Sequence, residues 1–285
     1  PFAKLVARDS QLNHTPTVSH NMKPSNNVKI RNHKMKKVLI ILFFFLSVKS
    51  IYAKCKGGGF QFYPEQKEIS MNSIFIIQGF AKSQKQIVEF YETKVYLISE
   101  NGELIELILQ KILKGQKDLT QAIFKPEKEL NPNTIYYLKH PDKSIDFFTK
   151  WNSDLKKREK IHWTTSDLKI SESIDSDIQF EFEKTEVIFY GCGPSVNAII
   201  NVKNNLDSEI LYKTEVVNLS NNRTNTFIIK EINGKLNVGH GMCAGAFAFD
   251  KTSKYKVRFT PMNTDGNTDE TTEWFEFDNP FLNQK

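Results

Sequence analysis

Along most of this chain the apolar side chains come in short β-branched and aromatic runs set between polar turns, the pattern of strands rather than of amphipathic helices. Ile74 to Ala81 (IFIIQGFA) and Val95 to Ser99 (VYLIS) are predicted strands. Asn101-Gly102, the strongest short hairpin signal, joins the second to Glu103–Leu109. Leu104 to Leu113 also fits a helix by spacing, but the turn before it and Gly115 after it favour a strand. Gln121–Phe124, Leu130–Leu138, Ile145–Phe148 and Ile161–Thr165 complete a first set, with Trp151–Lys160 expected as a polar insertion or short helix. Residues 166–178 are Ser/Asp-rich and mark a domain boundary. Beyond it the expected strands are Ile178–Phe182, Glu186–Tyr190, Val196–Val202, Ile210–Leu219, Phe227–Ile232, Ala244–Phe249, Tyr255–Thr260 and Thr272–Phe277. The turns between them carry Asn204-Asn205, Asn221-Asn222, Asn233-Gly234 and Asp265-Gly266-Asn267. The expectation is an all-β chain built of β-sandwiches.

One stretch breaks the pattern. Met35 to Ala53 opens with Lys36 and Lys37, continues in an apolar run of 11 residues from Val38 to Val48, and closes on Ala53, the three-part layout of a secretory signal peptide. The run is too short for a bilayer core, which takes about 20 residues as helix. Residues 1–34 are dense in Asn, His, Ser and Pro and are expected to be a disordered or over-extended segment. The domain reading is therefore 1–34, a leader at 35–53, a first sandwich at 54–166 and a second at 167–285.

Removing the leader reverses the charge. The whole chain carries 39 Lys+Arg and 33 Asp+Glu, a net +6, but residues 1–53 hold nine of the former and only Asp9 of the latter. The remaining 232 residues have a formal charge of −2, which argues against a nucleic-acid partner. All three cysteines, Cys55, Cys192 and Cys243, follow the leader, as suits an oxidising compartment. Cys192 and Cys243 are the favoured disulfide, the alternatives being no bridge or one involving Cys55. Lipidation of Cys55 is disfavoured by Lys54 before it.

No catalytic, cofactor or metal motif stands out. Gly57-Gly58-Gly59 lacks the strand, helix and Lys-Ser/Thr of a phosphate loop, and Gly191-Cys192-Gly193-Pro194-Ser195 is not a nucleophile elbow. His240, Met242 and Cys243 are soft ligands in principle, yet only His140 and His162 remain to join them, so no metal site is expected. Asp265, Asn267 and Asp269 place oxygens at alternate positions, a possible calcium loop, against the simpler reading of a turn that caps its own backbone. Trp151 and Trp274 are candidate binding aromatics, most others being needed for two cores.

Two motifs carry a family resemblance. Leu130, Pro132, Thr134, Tyr136 and Leu138 form an L-x-P-x-T-x-Y-x-L strand, closed by Trp163 and Thr165, which resembles the tandem bacterial Ig-like domains of secreted and surface proteins. YKVRFTPMNTDGNTDE, from Tyr255, is similar to the ending of Ig-like and fibronectin type III-like repeats, although no Trp lies between Cys192 and Cys243. The resemblance implies two tandem Ig-like β-sandwich domains in an exported, non-enzymatic protein of the envelope or exterior, secreted, periplasmic or cell-surface. It would act as a binding, adhesive or spacer module on a protein or glycan at the cell surface, with no cofactor and no membrane span after cleavage. The alternatives are a carbohydrate-binding accessory module of a secreted degradative system and, less favoured, a secreted hydrolase using His162 and His240.

Overall fold

Alternation decides the first sheet. In β4, Val95–Ser99, side chains go in and out in turn, with Val95, Leu97 and Ser99 buried. The computed structural model describes residues 57–143, 147–167, 174 and 177–283, and the expected leader, Cys55 and most of the 166–178 boundary lie outside them. Around β4 lie β1 (Gly58–Tyr63), β2 (Glu68–Ile69), β3 (Phe75–Ala81), β5 (Leu104–Lys114), β6 (Leu119–Pro126), β7 (Ile135–Lys139) and β10 (His162–Thr165). They form an eight-stranded sheet in the order β1-β3-β6-β5-β4-β7-β10-β2. β1 and β2 follow one another in the chain yet close opposite ends of that order, so the sheet folds over on itself. Phe75, Leu97, Phe124, Tyr136 and Trp163 fill the space enclosed. The Asn101-Gly102 hairpin forms as expected, with Gly102 at φ 87°. A six-residue helix, α1 (Gln84–Glu89), covers β3 and β6.

The second half is a two-sheet sandwich. β11 (Gln179–Tyr190), β12 (Gly193–Lys203) and β15 (Lys235–His240) make one sheet. β14 (Arg223–Lys230), β13 (Leu211–Asn218), β16 (Tyr255–Met262) and β17 (Phe275–Phe277) make the other. Val196, Ala198 and Ile200 of β12 share one apolar core with Tyr212, Val216, Phe227, Val257 and Phe259. The strands expected at 178–182 and 186–190 are one strand with a bulge between Phe182 and Lys184. Ala244–Phe249 is not a strand, because after the His240–Gly245 bridge the chain runs along the first sheet, taking Lys117 and Gln116 as backbone partners. Trp151–Lys160 is not a helix but a largely exposed hairpin of β8 (Thr149–Asn152) and β9 (Lys157–Lys160), a polar insertion with strand structure of its own.

Both halves repeat one local device. The Tyr136 hydroxyl accepts the backbone N–H of Asn131 at 3.0 Å, and the Tyr255 hydroxyl accepts that of Asp250 at 2.7 Å. In each case the tyrosine holds the backbone five residues upstream, the geometry of a tyrosine corner.

The halves meet over a shared core and a set of polar ties. Tyr63, Ile76, Leu113 and Leu119 of the first sheet, with Ile74 just before β3, belong to the same apolar cluster as the second sandwich. At its centre Gln121, fully buried, grips β14: its Oε1 accepts the Ile228 N–H at 3.2 Å and its Nε2 donates to the Ile228 carbonyl at 2.7 Å. Gln116 Oε1 accepts the Ala248 N–H at 2.9 Å, and the Ile74 N–H donates to the Thr264 carbonyl at 2.7 Å. Gln121→Leu keeps the volume and removes both partners of Ile228. Each orphaned buried group costs about 1–3 kcal/mol, so the variant is expected to lose about 2–6 kcal/mol in urea unfolding; a wild-type midpoint would contradict this assignment.

Candidate functional site

The grip on Ile228 is one end of a row. Gln61 on β1, Gln78 on β3 and Gln121 on β6 are register partners on adjacent strands. Gln121 Nε2 donates to Gln78 Oε1 at 2.9 Å, Gln78 Nε2 to Gln61 Oε1 at 3.0 Å, and Gln61 Nε2 to Glu65 Oε1 at 3.0 Å. Lys230 Nζ donates to Glu65 Oε2 at 2.7 Å and returns the row to β14, two residues from Ile228. Every amide is thereby fixed in orientation, which a free surface glutamine is not.

Above this row opens a cleft of about 650 Å³ between the first sheet and the edges of the second sandwich, a size usual for sites that bind small molecules. Gln61, Gln78, Ser195, Asn197, Asn233, Asn237 and His240 contribute to its polar lining, together with the charged Glu65, Lys230 and Glu231. Asn197 Nδ2 donates to Ser195 Oγ at 3.1 Å, and Ser195 Oγ donates to the His240 carbonyl at 3.2 Å. Gly239 forms part of the wall as bare backbone: a Cβ there would lie 2.0 Å from the Val196 carbonyl oxygen, at φ 156°. Outside the cleft lining, Glu209, a nearly buried carboxylate, accepts the backbone N–H groups of Glu65 and Gln66 at 2.7 and 2.9 Å. Burial raises the Glu65 carboxyl, but the bonds from Lys230 and Gln61 overcome it and hold the group below its usual range.

On the other side of Gln61 and Glu65 lies a smaller cavity of about 280 Å³. Phe62, Ile161 and Trp163 floor it, and Lys67, Lys150 and His162 stand at its rim. Lys67 Nζ lies 3.3 and 3.2 Å from the two ring nitrogens of His162.

The histidines do not assemble. His162 lines the small cavity, His240 the cleft, and His140 sits among Phe90, Phe147 and Phe148. Each of the two cavity imidazoles neighbours a lysine, with Lys117 Nζ 3.0 Å from His240 Nδ1, and no described histidine ring is hydrogen-bonded to a carboxylate. Burial first, then Lys117, lowers the His240 pKa against the raising effect of the Gly241 carbonyl. Among the described residues no three His, Cys, Asp or Glu side chains group as a metal site would require.

The other expected residues separate. The Cys192–Cys243 bridge is not formed: Cys192 is free, while Cys243 is disulfide-bonded. Cys192 sits in the β11–β12 turn, carried beyond Val196–His240, the last pair of β12 with β15, whereas residues 241–244 turn back toward Gly245. The Asp265 loop is a tie rather than an open cage. Asp265 accepts the hydroxyls of Ser70 and Ser73, Asn263 Oδ1 accepts the Asp265 and Asn267 N–H groups, and Asp269 accepts that of Glu270. Trp151 is 60% exposed on the β8–β9 hairpin, but Trp274 is half-buried beneath Lys256 and Arg258, 4.6 and 4.5 Å from its ring centre. Trp163, at 2% exposure, is core, so these three tryptophans offer no paired stacking platform.

No protein-family model matches the chain, and no curated protein matches it. Among solved structures the chain is similar to a pullulanase complexed with maltotriose from Anoxybacillus sp. LM18-11, at 9% identity and a TM-score of 0.24, over 76% of this chain and 25% of that one. It is similar to a cytokine receptor complex at 8% identity and a TM-score of 0.24, over 79% and 97% of the two chains. A third is the Yersinia pseudotuberculosis adhesin InvE, at 11% identity and a TM-score of 0.19, over 77% and 58%. The chain thus spans only a quarter of the pullulanase chain, and none of the three likenesses carries fold or function across.

Two measurements check these assignments. Peptide mapping under non-reducing conditions is expected to return Cys192 as an alkylatable thiol and Cys243 as protected; a Cys192–Cys243 crosslink would overturn this assignment. His240 should titrate by NMR below its ordinary 6.5. Unfolding then takes up a proton in the window between the lowered value and 6.5, so stability is expected to fall as pH drops through it and to flatten there in His240→Gln.

Proposed function

We propose that this chain is an exported binding module of two Ig-like sandwiches that seats a hydroxyl-rich organic ligand, a cell-surface glycan, in the cleft above the glutamine row. The observation that carries this reading is the lining itself. Gln61, Gln78, Asn197, Asn237 and Ser195 offer both donors and acceptors, and the glutamine row fixes the orientation of the first two. Such groups match sugar hydroxyls, each of which both donates and accepts.

Three further facts support the reading. The Met35–Ala53 pattern is that of a leader. The tyrosine corners at Tyr136 and Tyr255 occupy the positions that the resemblance to Ig-like repeats singles out. A binding rather than catalytic role accords with imidazoles that face lysines, since a general base needs a partner that stabilises its protonated form.

The test is a glycan array followed by calorimetry on the best hit. Asn197→Ala and Asn237→Ala, neither in the glutamine row, are expected each to weaken binding by about 10-fold, the worth of one lost hydrogen bond, with the unfolding midpoint unchanged. Binding untouched by both substitutions would place the ligand elsewhere and sink the cleft assignment.

A further inference from the structure

The small cavity beside the cleft holds more basic groups than its surroundings neutralise. Lys67, Lys150 and His162 converge on about 280 Å³ of space. Among the described residues neither Lys67 nor Lys150 makes an ion pair. The two ammonium groups feel one another: burial and then the charge of Lys150 lower the pKa of Lys67. Two carboxylates stand near. Glu65 is engaged by Lys230 at 2.7 Å and by Gln61 at 3.0 Å, and Glu159, on β9, is held by Asn152 while its charge favours the protonated form of Lys67. Holding like charges together at a partly desolvated rim is costly unless an anion completes the arrangement. The floor of Phe62, Ile161 and Trp163 is apolar, which strengthens the attraction for an anion seated there.

We infer that this cavity is an anion subsite, formed by Lys67, Lys150 and His162, for the carboxylate or sulfate of an acidic saccharide whose hydroxyl-bearing rings lie in the adjoining cleft. The inference rests on the proposed cleft function for the second half of that statement and on the cavity alone for the first. Gln61 and Glu65 line both spaces, so a ligand crossing them passes from the amide-lined cleft to the basic rim. Glu65 cannot repel it strongly, because its charge is compensated by Lys230.

The probes are digalacturonic acid, its neutral dimethyl ester and sodium sulfate, read by Trp163 fluorescence and by the His162 ring signals in NMR. The acid is expected to bind at least about 10-fold tighter than the ester, the usual worth of a charge-assisted hydrogen bond. Lys67→Gln/Lys150→Gln, at exposed positions where folding is not at stake, should bring the acid down to the ester's affinity. Equal binding of acid and ester to the wild type, or a preference that survives in the double variant, overturns the subsite while leaving the cleft function standing. A saturable His162 response to sulfate that the double variant abolishes supports the subsite even where neither sugar binds, the outcome in which the cleft function is what fails. No response to sulfate or to the acid overturns the subsite outright. A sulfate response exceeding that of the acid at equal concentration assigns the subsite to sulfated rather than carboxylated saccharides.

Discussion

A buried peptide group must find partners, and in this protein one such requirement sets the arrangement of the whole described chain. Ile228 lies where β14 is pressed against the first sheet, and its N–H and C=O are met by a single side chain, Gln121. A leucine or a shorter amide at that place could not meet both groups. Gln121 in turn needs a partner for its second N–H, which Gln78 supplies, and the same demand repeats through Gln61 to Glu65 and Lys230. The interface, the floor of the cleft and the neutralisation of Glu65 are therefore one network, satisfied together or not at all.

Most strands were legible because their cause is local. Val95, Leu97 and Ser99 alternate in the sequence and alternate in burial, and Asn101-Gly102 turns where the residue types require. What failed were segments whose conformation depends on a distant partner. Ala244–Phe249 has the composition of a strand, but its backbone is claimed by Gln116 and Lys117 from the other half. The β8–β9 hairpin looks too polar for a strand pair because it projects from the core, so no apolar face was needed to form it.

The site was largely hidden for the same reason. Gln61, Gln78 and Gln121 each interrupt an apolar run, which marks them as unusual, but only the register of three strands that are not consecutive in sequence places them in a line. Likewise Lys67 and His162 are 95 residues apart and meet through strand pairing at the sheet's far end. The Asp265 loop shows the converse. Its oxygens were visible and suggested a cation, but that Asp265 meets the hydroxyls of Ser70 and Ser73 from far along the chain was not.

The closure of the glutamine row on β14 has a mechanical consequence. Both of its ends, Ile228 and Lys230, lie on one strand two residues apart, a spacing of about 7 Å along the strand. A single tie would act as a swivel; two ties at that spacing, joined across the row, resist rotation as well as separation. Force that pulls the first sheet away from the second sandwich would then load these bonds in parallel, so that the cleft between them keeps its shape under pull.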